Sequence, residues 1–263
     1  MNVIVCMKQV PDTETLIKIK PDGSGIVTDD IKYVINPYCE FAVEESLRIK
    51  EKHGGQSILI TMGSQKAVEA LRTGLAMGSD RSIHLNDPAF EGADGFATAK
   101  ALAEAIKKES YDLILCGKQA VDDDMAQVGP ALAEFLGLPH VTLITKLEIS
   151  ADKKKAKVEK EVEGGKEVIE VSLPAVFTCQ KGLNEPRYAS LPGIMKAKKK
   201  EVKAINLAAL GLPADQVGAA GAKTKINKYT PPPSRPPGKI VSGEILEAAQ
   251  KLVKLLREEA KIV

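Results

Sequence analysis

The sequence lacks tryptophan, and its 263 residues include only five phenylalanines and five tyrosines. So few rings are poorly suited to enclosing a flat aromatic cofactor unaided. The sequence also lacks any run of about 20 apolar residues, which excludes a membrane-spanning helix. The cysteines are far apart and show no C-x-x-C spacing, so we expect reduced, mostly buried thiols at all four: Cys6, Cys39, Cys116 and Cys179.

An excess of charge of either sign is absent too. Lysine and arginine number 37 against 35 aspartates and glutamates, which gives no general reason to expect nucleic acid or an anionic membrane as a partner. The three histidines stand apart, and neither a G-x-S-x-G elbow nor a P-loop occurs. We therefore expect no metal and no catalytic residues. Residues 1–5 enter a strand without a basic leader, from which we expect cytoplasmic residence if the chain is bacterial.

What the sequence does contain is an alternation of short β-branched runs with helical patterns. The runs at residues 3–5, 57–61, 82–85, 113–116 and 141–145 predict strands. Helices are predicted over residues 37–54, 64–78, 95–108 and 126–136, with Asn36 and Ser64 as N-caps and glycines at the ends of the first two. This alternation predicts an α/β fold with a doubly wound parallel sheet, in which ligands bind at the carboxyl ends of the strands.

Three segments depart from the alternation. Residues 18–28 predict a small excursion that turns at residues 21–25, and residues 146–173 predict a β-hairpin centred on Gly164 and Gly165. The stretch 211–238, rich in glycine, alanine and proline, predicts an arm without much regular structure. Ser242 is then predicted to cap a last helix, which docks either on its own domain or on a partner subunit through one apolar face: Ile245, Leu246, Ala249, Leu252, Val253 and Leu256.

The pattern that indicates a ligand follows the fourth predicted strand. Gly117 allows a tight turn at the strand's carboxyl end, and the N–H groups that open the next helix offer donors and partial positive charge to a phosphate. Lys118 stands beside them, and the carboxylates of Asp122, Asp123 and Asp124 are suited to capping N–H groups or binding ribose hydroxyls. Two interpretations are open: a nucleotide site, or an acidic N-cap on an ordinary helix.

A second unusual segment spans residues 182–200 and ends in the basic run 196–200. Its prolines restrain the backbone, so little entropy is lost when its apolar side chains dock into a groove. Arg187 and Tyr188 are residue types enriched at interface hot spots. The competing interpretation is a loop packed on its own domain with solvated lysines. The side chains suited to docking are Leu191, Pro192, Ile194 and Met195.

The motifs GKQAVDDD at 117–124, NEPRYASLP at 184–192 and IMKAKKK at 194–200 together resemble the beta subunits of electron transfer flavoproteins. Residues 36–45 and 71–78 also match that family in order and spacing, so the resemblance spans nearly the whole chain. It implies a Rossmann-like, adenine nucleotide alpha hydrolase-like domain over residues 1–210, which includes the predicted hairpin and the loop at 183–200. Residues 211–263 would form an arm and helix that contact the alpha subunit.

The resemblance further implies that this chain is half of a heterodimeric electron carrier. The alpha subunit would hold the redox-active FAD, whose surroundings this chain would complete, and this chain would bind AMP. Flavin dehydrogenases such as acyl-CoA dehydrogenases, which act in fatty acid β-oxidation, would supply electrons, and a quinone oxidoreductase would receive them. The family's nucleotide contacts map onto Cys6, Asn36, Pro37, Tyr38, Cys39, Met62, Gly117, Lys118, Gln119, Ala120, Val121, Asp122, Asp123, Asp124, Met125, Ala126, Gln127 and Val128.

The family's partner-docking loop maps onto residues 183–200, with Leu191 as the apolar anchor. A loop of this kind serves a carrier that must dock on several dehydrogenases. Its mapped residues are Leu183, Asn184, Glu185, Pro186, Arg187, Tyr188, Leu191, Pro192, Ile194 and Met195.

Two alternatives remain. Ala126 stands where Asn is frequent in the AMP-binding type, Thr13 stands where an aromatic residue often approaches the flavin, and residues 8–13 resemble the electron-bifurcating branch. That branch places a second FAD in the beta subunit and takes electrons from NADH. Residues 122–124 and 39–40 resemble the AMP type, which we favour.

The other alternative, a homodimeric sensor of AMP or ATP with the same fold, has no need of the loop at 183–200.

Overall fold

The computed structural model describes residues 1–235 and 237–263. Its strands are β1 (Val3–Cys6), β2 (Gln9–Pro11), β3 (Tyr33–Ile35), β4 (Ser57–Met62), β5 (Arg81–Leu85), β6 (Leu113–Gly117), β7 (His140–Ile149), β8 (Lys155–Val162), β9 (Gly165–Ser172), β10 (Val176–Cys179) and β11 (Val202–Ile205). Its α-helices are α1 (Pro37–His53), α2 (Ala67–Met77), α3 (Gly95–Ile106), α4 (Val128–Leu136), α5 (Leu191–Ala197), α6 (Leu207–Leu210), α7 (Gly218–Gly221) and α8 (Ile245–Glu258).

The main sheet has the strand order β11-β5-β4-β1-β6-β10-β7-β8-β9. Its strands from β11 to β7 are parallel, and β7, β8 and β9 are antiparallel. Alternate residues of β1 enter two separate cores: Val3 and Val5 pack beneath α1 and α2, whereas Ile4 and Cys6 pack beneath α3 and α4. A strand covered on both faces reads as a continuous apolar run. The predicted doubly wound α/β fold is confirmed.

The predicted hairpin within 146–173 is confirmed as β8 and β9, but it begins at Lys155 and not at residue 146. Residues 146–149 continue β7, whose beginning pairs with β10 and whose end pairs with β8, with a shift in register between Ile144 and Lys146. The turn at Gly164 joins β8 to β9 as predicted. The sequence patterns did not predict β10, a short strand that lies between β6 and β7. The excursion at residues 18–28 is present and is closed by a bridge between Ile19 and Ile26.

Three predicted helix starts are also corrected. Ser64 does not cap α2, because a turn occupies residues 64–66 and the helix begins at Ala67. Ser242 does not cap α8, whose N-cap is Glu244. Helix α4 begins at Val128 rather than at residue 126, because Ala126 has a left-handed backbone with φ of 53°. A left-handed residue cannot continue into a right-handed helix.

After α7 the carboxyl-terminal arm is still tied to the domain, because Lys223 N and Thr224 N donate to Asp94 Oδ2 and Tyr229 N donates to Gly23 O. Of its proline-rich run, Pro236 lies outside the described residues, and the described residues from 223 to 243 contain neither helix nor strand. Helix α8 follows, and none of its side chains is buried by the described part of the chain; Ile245 is 89% exposed. Within the described residues, no helix has the length and apolar character needed to cross a membrane. Residence in the cytoplasm stays a prediction.

Candidate functional site

The carboxyl ends of three neighbouring strands bring the predicted nucleotide residues together. Met62 ends β4, Cys6 ends β1 and Gly117 ends β6, and these strands are adjacent in the sheet. Cys6 lies opposite Ile60 on one side and Cys116 on the other. Residues 36–39, at the start of α1, lie beside the same edge. This is the edge at which ligands bind in doubly wound sheets.

Gly117 is required for close packing rather than for a tight turn. A Cβ atom at this position would lie 2.8 Å from the backbone nitrogen of Cys39 and 3.0 Å from its Sγ atom. Real Cβ atoms do not approach backbone so closely, so any other residue would push the end of β6 away from α1. The glycine therefore holds the start of α1 against the end of β6.

Asn36 links the start of α1 to the loop that follows β6. The sequence pattern predicted Asn36 as the N-cap of α1. Asn36 does occupy that position, but its side chain makes no capping hydrogen bond to the helix. Instead, Nδ2 donates to the carbonyl oxygen of Gln119 (2.8 Å) and to Cys39 Sγ (3.2 Å), and Oδ1 accepts from the backbone N–H of Val121 (3.1 Å). Asn36 is 1% exposed. A buried amide that satisfies two backbone groups holds this loop in one conformation.

The loop at residues 118–127 contains the acidic run, and it separates β6 from α4. Asp124 N donates to Ala120 O (2.8 Å), Gln119 Nε2 donates to Asp124 Oδ1 (2.6 Å), and Met125 N donates to Asp123 Oδ1 (3.1 Å). The N-cap of α4 is Gln127. The acidic residues thus stabilise the loop itself, and the interpretation of them as the N-cap of the next helix is wrong.

Lys8 faces the acidic run, a role that the sequence patterns missed. Its Nζ atom lies 2.8 Å from Asp122 Oδ1 and 3.0 Å from Asp123 Oδ2. Burial disfavours the charged amine, but the hydrogen bonds and charges of the two aspartates outweigh it and raise the pKa of Lys8. Lys118 instead places its Nζ atom 4.8 Å from the centre of the Tyr38 ring. The only local signal for Lys8 is its place just after the first strand.

The four cysteines lie on both faces of the sheet around the same strand ends. All four are buried free thiols, as predicted. A hydrogen bond with Cys116, together with burial, raises the pKa of Cys6, and burial raises the pKa of Cys39 and of Cys179. Thiols kept protonated in this way are poor nucleophiles and serve as packing.

The segment at 183–200 has packed ends and an exposed middle. At its carboxyl end, Arg72 Nη1 donates to Ala197 O (2.5 Å) and Lys200 O (2.8 Å), and Lys200 Nζ donates to Leu75 O (3.0 Å) and to Ser79 O. Burial lowers the pKa of Lys200. Lys200 therefore binds the end of α2, and the interpretation of the whole basic run as solvated is wrong at this residue.

The exposed middle, residues 188–195, we call the tip. Ser190 Oγ caps α5 by accepting from Gly193 N (3.1 Å), and α5 carries apolar side chains into solvent. Tyr188 is 98% exposed and Leu191 is 74% exposed, and Pro192, Ile194 and Met195 are exposed as well. Asn184, by contrast, is buried, and Leu183, Pro186 and Arg187 are half-buried. The ten predicted partner residues thus divide into an accessible tip and an anchored flank, and Glu185 is exposed on that flank.

Comparison with known proteins agrees with this architecture. Residues 24–210 match the family model "Electron transfer flavoprotein domain". The chain is 45% identical over 257 residues to the electron transfer flavoprotein subunit beta of Thermoanaerobacterium thermosaccharolyticum, covering 97% of this chain and 98% of that one. It is 43% identical to the Bacillus subtilis protein of that name over the full length of both, and 40% identical to the human one over 100% and 99% of the two chains. The chain belongs to the electron transfer flavoprotein beta subunits.

Proposed function

We propose that this chain is the nucleotide-binding half of a single-flavin electron carrier. With an alpha subunit that holds FAD, it carries electrons from flavin dehydrogenases, such as acyl-CoA dehydrogenases, to a quinone oxidoreductase. The observation that supports this function best is the tip, whose apolar side chains are exposed while both of its flanks are tied to the domain. Such a preorganised anchor loses little entropy on docking. Docking matters to a carrier because it brings two flavins close enough for electron transfer.

AMP is the nucleotide that we propose for the strand ends. Lys8 pairs with Asp122 and Asp123, and its single positive charge offsets one of the three negative charges of the acidic run, which reduces the repulsion of a phosphate. The left-handed residues Asp124 and Ala126 bend the following backbone, and alternating backbone conformations of this kind form concave groups of N–H donors that bind anions. The residues proposed to hold AMP are those that the family resemblance indicates at 6, 36–39, 62 and 117–128.

The composition of the native complex tests the choice between AMP and a second flavin. We would purify the chain with its native partner, denature the complex and quantify released AMP and FAD by chromatography and mass spectrometry. One FAD with one AMP is the expected result. Two FAD without AMP would indicate the bifurcating type that residues 8–13 resemble, and nucleotide without alpha subunit or flavin would indicate the sensor.

Replacement of the anchor tests docking. Leu191→Ala should slow the reduction of the complex by acyl-CoA dehydrogenase about tenfold, the change expected when an interface loses about 1.4 kcal/mol. Nucleotide content and heterodimer formation should stay unchanged, because Leu191 contacts solvent. Val168→Ala, at an exposed apolar position on β9, is the matched control. Equal rates for Leu191→Ala and the unaltered complex would remove the tip from the mechanism.

A further inference from the structure

The flank that precedes the tip lies along one face of α1. Asn184 Nδ2 donates to Phe41 O (3.0 Å) and to Glu45 Oε2 (2.9 Å), and Arg187 binds Glu44 and Glu51. Residues three, four and seven positions apart on a helix share a face. Glu44 and Glu51 therefore share a face, with Arg48 between them, and Glu45 lies beside Glu44. The flank is fastened to this helix at two points, by Asn184 and by Arg187.

Glu44 is the buried half of the Arg187 contact. Its side chain is 3% exposed. Oε2 accepts from the backbone N–H of Arg187 (3.1 Å) and from its Nε (2.8 Å), while Oε1 accepts from Arg187 Nη2 (3.1 Å) and Arg48 Nε (2.9 Å). Burial opposes ionisation of Glu44, but the hydrogen bonds from Arg187 and Arg48 outweigh it and lower the pKa. The carboxylate is thus charged and fully engaged.

The guanidinium of Arg187 is nearly saturated by its own domain. Nε and Nη2 donate to Glu44, while Nη1 and Nη2 donate to Glu51 at 2.5 and 3.1 Å. A guanidinium has five N–H donors, so one remains for any other molecule. A bidentate pair with a partner's carboxylate, the geometry that makes arginine a strong interface residue, would need two parallel donors free. The sequence-based interpretation of Arg187 as an interface hot spot therefore does not fit its contacts.

The Arg187 contact also determines where the tip begins. Its backbone N–H is bound to Glu44, and the next residue, Tyr188, is 98% exposed. A main chain held at residue 187 leaves the surface in one direction, whereas a free one would sample many. The direction in which the main chain enters the tip therefore depends on this contact, whereas α2 holds the other end of the tip.

We propose that Arg187 is a positioning residue for docking, which directs Tyr188 and Leu191 outward through Glu44 and Glu51 and does not itself bind the dehydrogenase. The inference rests on the proposed function, because it assumes that the tip docks. A positioning role and direct binding by Arg187 predict opposite effects when Glu51 is altered. If Arg187 positions the tip, loss of Glu51 loosens the tip and weakens docking. If Arg187 binds the partner directly, loss of Glu51 frees guanidinium donors and strengthens docking.

The test uses the FAD-loaded heterodimer and acyl-CoA dehydrogenase reduced by acyl-CoA. We expect Glu51→Gln to raise the apparent KM for the heterodimer about threefold and Arg187→Met to raise it about tenfold, with kcat and FAD content unchanged. Arg187→Lys should fall between them, because one ammonium cannot serve both carboxylates in the same geometry. Arg81→Met, which removes an ion pair with Glu109 outside the segment 183–200, is the control for lost charge. Unchanged or tighter docking for Glu51→Gln would overturn the inference.

A double-mutant cycle separates this inference from the proposed function. If Arg187 acts through the tip, Arg187→Met should have little further effect once Leu191 is alanine. Multiplicative effects of the two changes would mean independent contacts and would overturn the positioning role. If Leu191→Ala alone has no effect, docking by the tip itself is refuted, whereas an effect of Leu191→Ala with none of Arg187→Met refutes only the inference.

Discussion

Asn36 shows how a single side chain can organise the nucleotide site. It binds Val121, 85 residues away in sequence, and supplies hydrogen bonds to two loop groups, the carbonyl of Gln119 and the N–H of Val121, that would otherwise have no partner. Because it is buried, the cost of removing it includes the desolvation of those groups, and not only the bonds that are lost.

We predict that Asn36→Ala lowers the free energy of unfolding by about 2 to 4 kcal/mol, since the N–H of Val121 and the carbonyl of Gln119 would be left without partners. Asn36→Asp should cost a similar amount, because a carboxylate cannot donate to Gln119. Denaturant unfolding would measure both, and chromatography would measure the nucleotide retained. Asn206→Ala, which removes an exposed cap from α6, should cost only about 1 kcal/mol. Equal losses at Asn36 and Asn206 would contradict the bridging role.

Ala126 occupies a backbone conformation that suits other residues better. Its φ of 53° is left-handed, which costs a residue with a Cβ atom about 1 to 2 kcal/mol. We predict that Ala126→Gly raises the free energy of unfolding by about 0.5 kcal/mol, after the greater entropy of the unfolded chain is subtracted. The same change at Ala131, inside α4, should lower it by about 1 kcal/mol. Thermal unfolding measures both variants. A higher stability for Ala126→Gly with a lower one for Ala131→Gly would confirm the prediction, and a lower stability for both would contradict it.

Among the elements, α5 illustrates why a short helix can present side chains accurately. Its Ser190 cap, the contact of Arg72 with its last carbonyl and the close approach of Gly193 to Ala76 together hold it against α2. A helix of this length would not be stable by itself. Its orientation therefore depends on α2.

A side chain at Gly193 should tilt this element. An added Cβ atom would overlap the carbonyl oxygen of Ala76, and backbone cannot move aside cheaply. We predict that Gly193→Ala slows reduction by acyl-CoA dehydrogenase about tenfold without loss of nucleotide, as measured by stopped-flow absorbance of the flavin. Gly25→Ala, at a glycine with open space around it, should leave the rate unchanged. The prediction fails if both variants behave alike.

At the scale of the whole molecule, the arm is tied to the domain as far as Tyr229, whose N–H donates to Gly23 O, and no side chain of α8 is buried against the described residues. The helix turns apolar residues outward, and at 14 residues it needs packing to be stable in water. The sequence left two docking sites open for this helix, its own domain and a partner subunit. In the part of the chain that the structure describes, α8 buries no side chain against its own domain. We propose that α8 packs on the alpha subunit.

Replacement of two exposed apolar residues of α8 tests this arrangement. The double variant Ile245→Ser with Leu252→Ser should weaken retention of the alpha subunit and lower FAD content at least about tenfold, because two buried side chains contribute about 1.5 to 3 kcal/mol each. The thermal stability of the beta chain's own sheet should not change. Lys251→Ser, an exposed charged position on the same helix, is the control. Full retention of the alpha subunit by the double variant would place α8 elsewhere.

Local patterns determined the elements and the family. Apolar periodicity located the main strands and helices because each depends on neighbours within a few residues, and the motifs at 117–124 and 184–200 indicated the beta subunit resemblance. The patterns were weaker where an element is short or its start depends on distant groups, as at β10, α2 and α4.

The tertiary structure alone decided which side chains meet. Lys8 is paired with Asp122 across 114 residues, and Arg187 with Glu44 across 143. Such contacts follow from the order of the strands and the packing of helices on them, and a local pattern contains no information about either. For this reason the sequence pattern predicted that Arg187 binds a partner, whereas in the fold four of its five guanidinium N–H groups donate to Glu44 and Glu51 of α1.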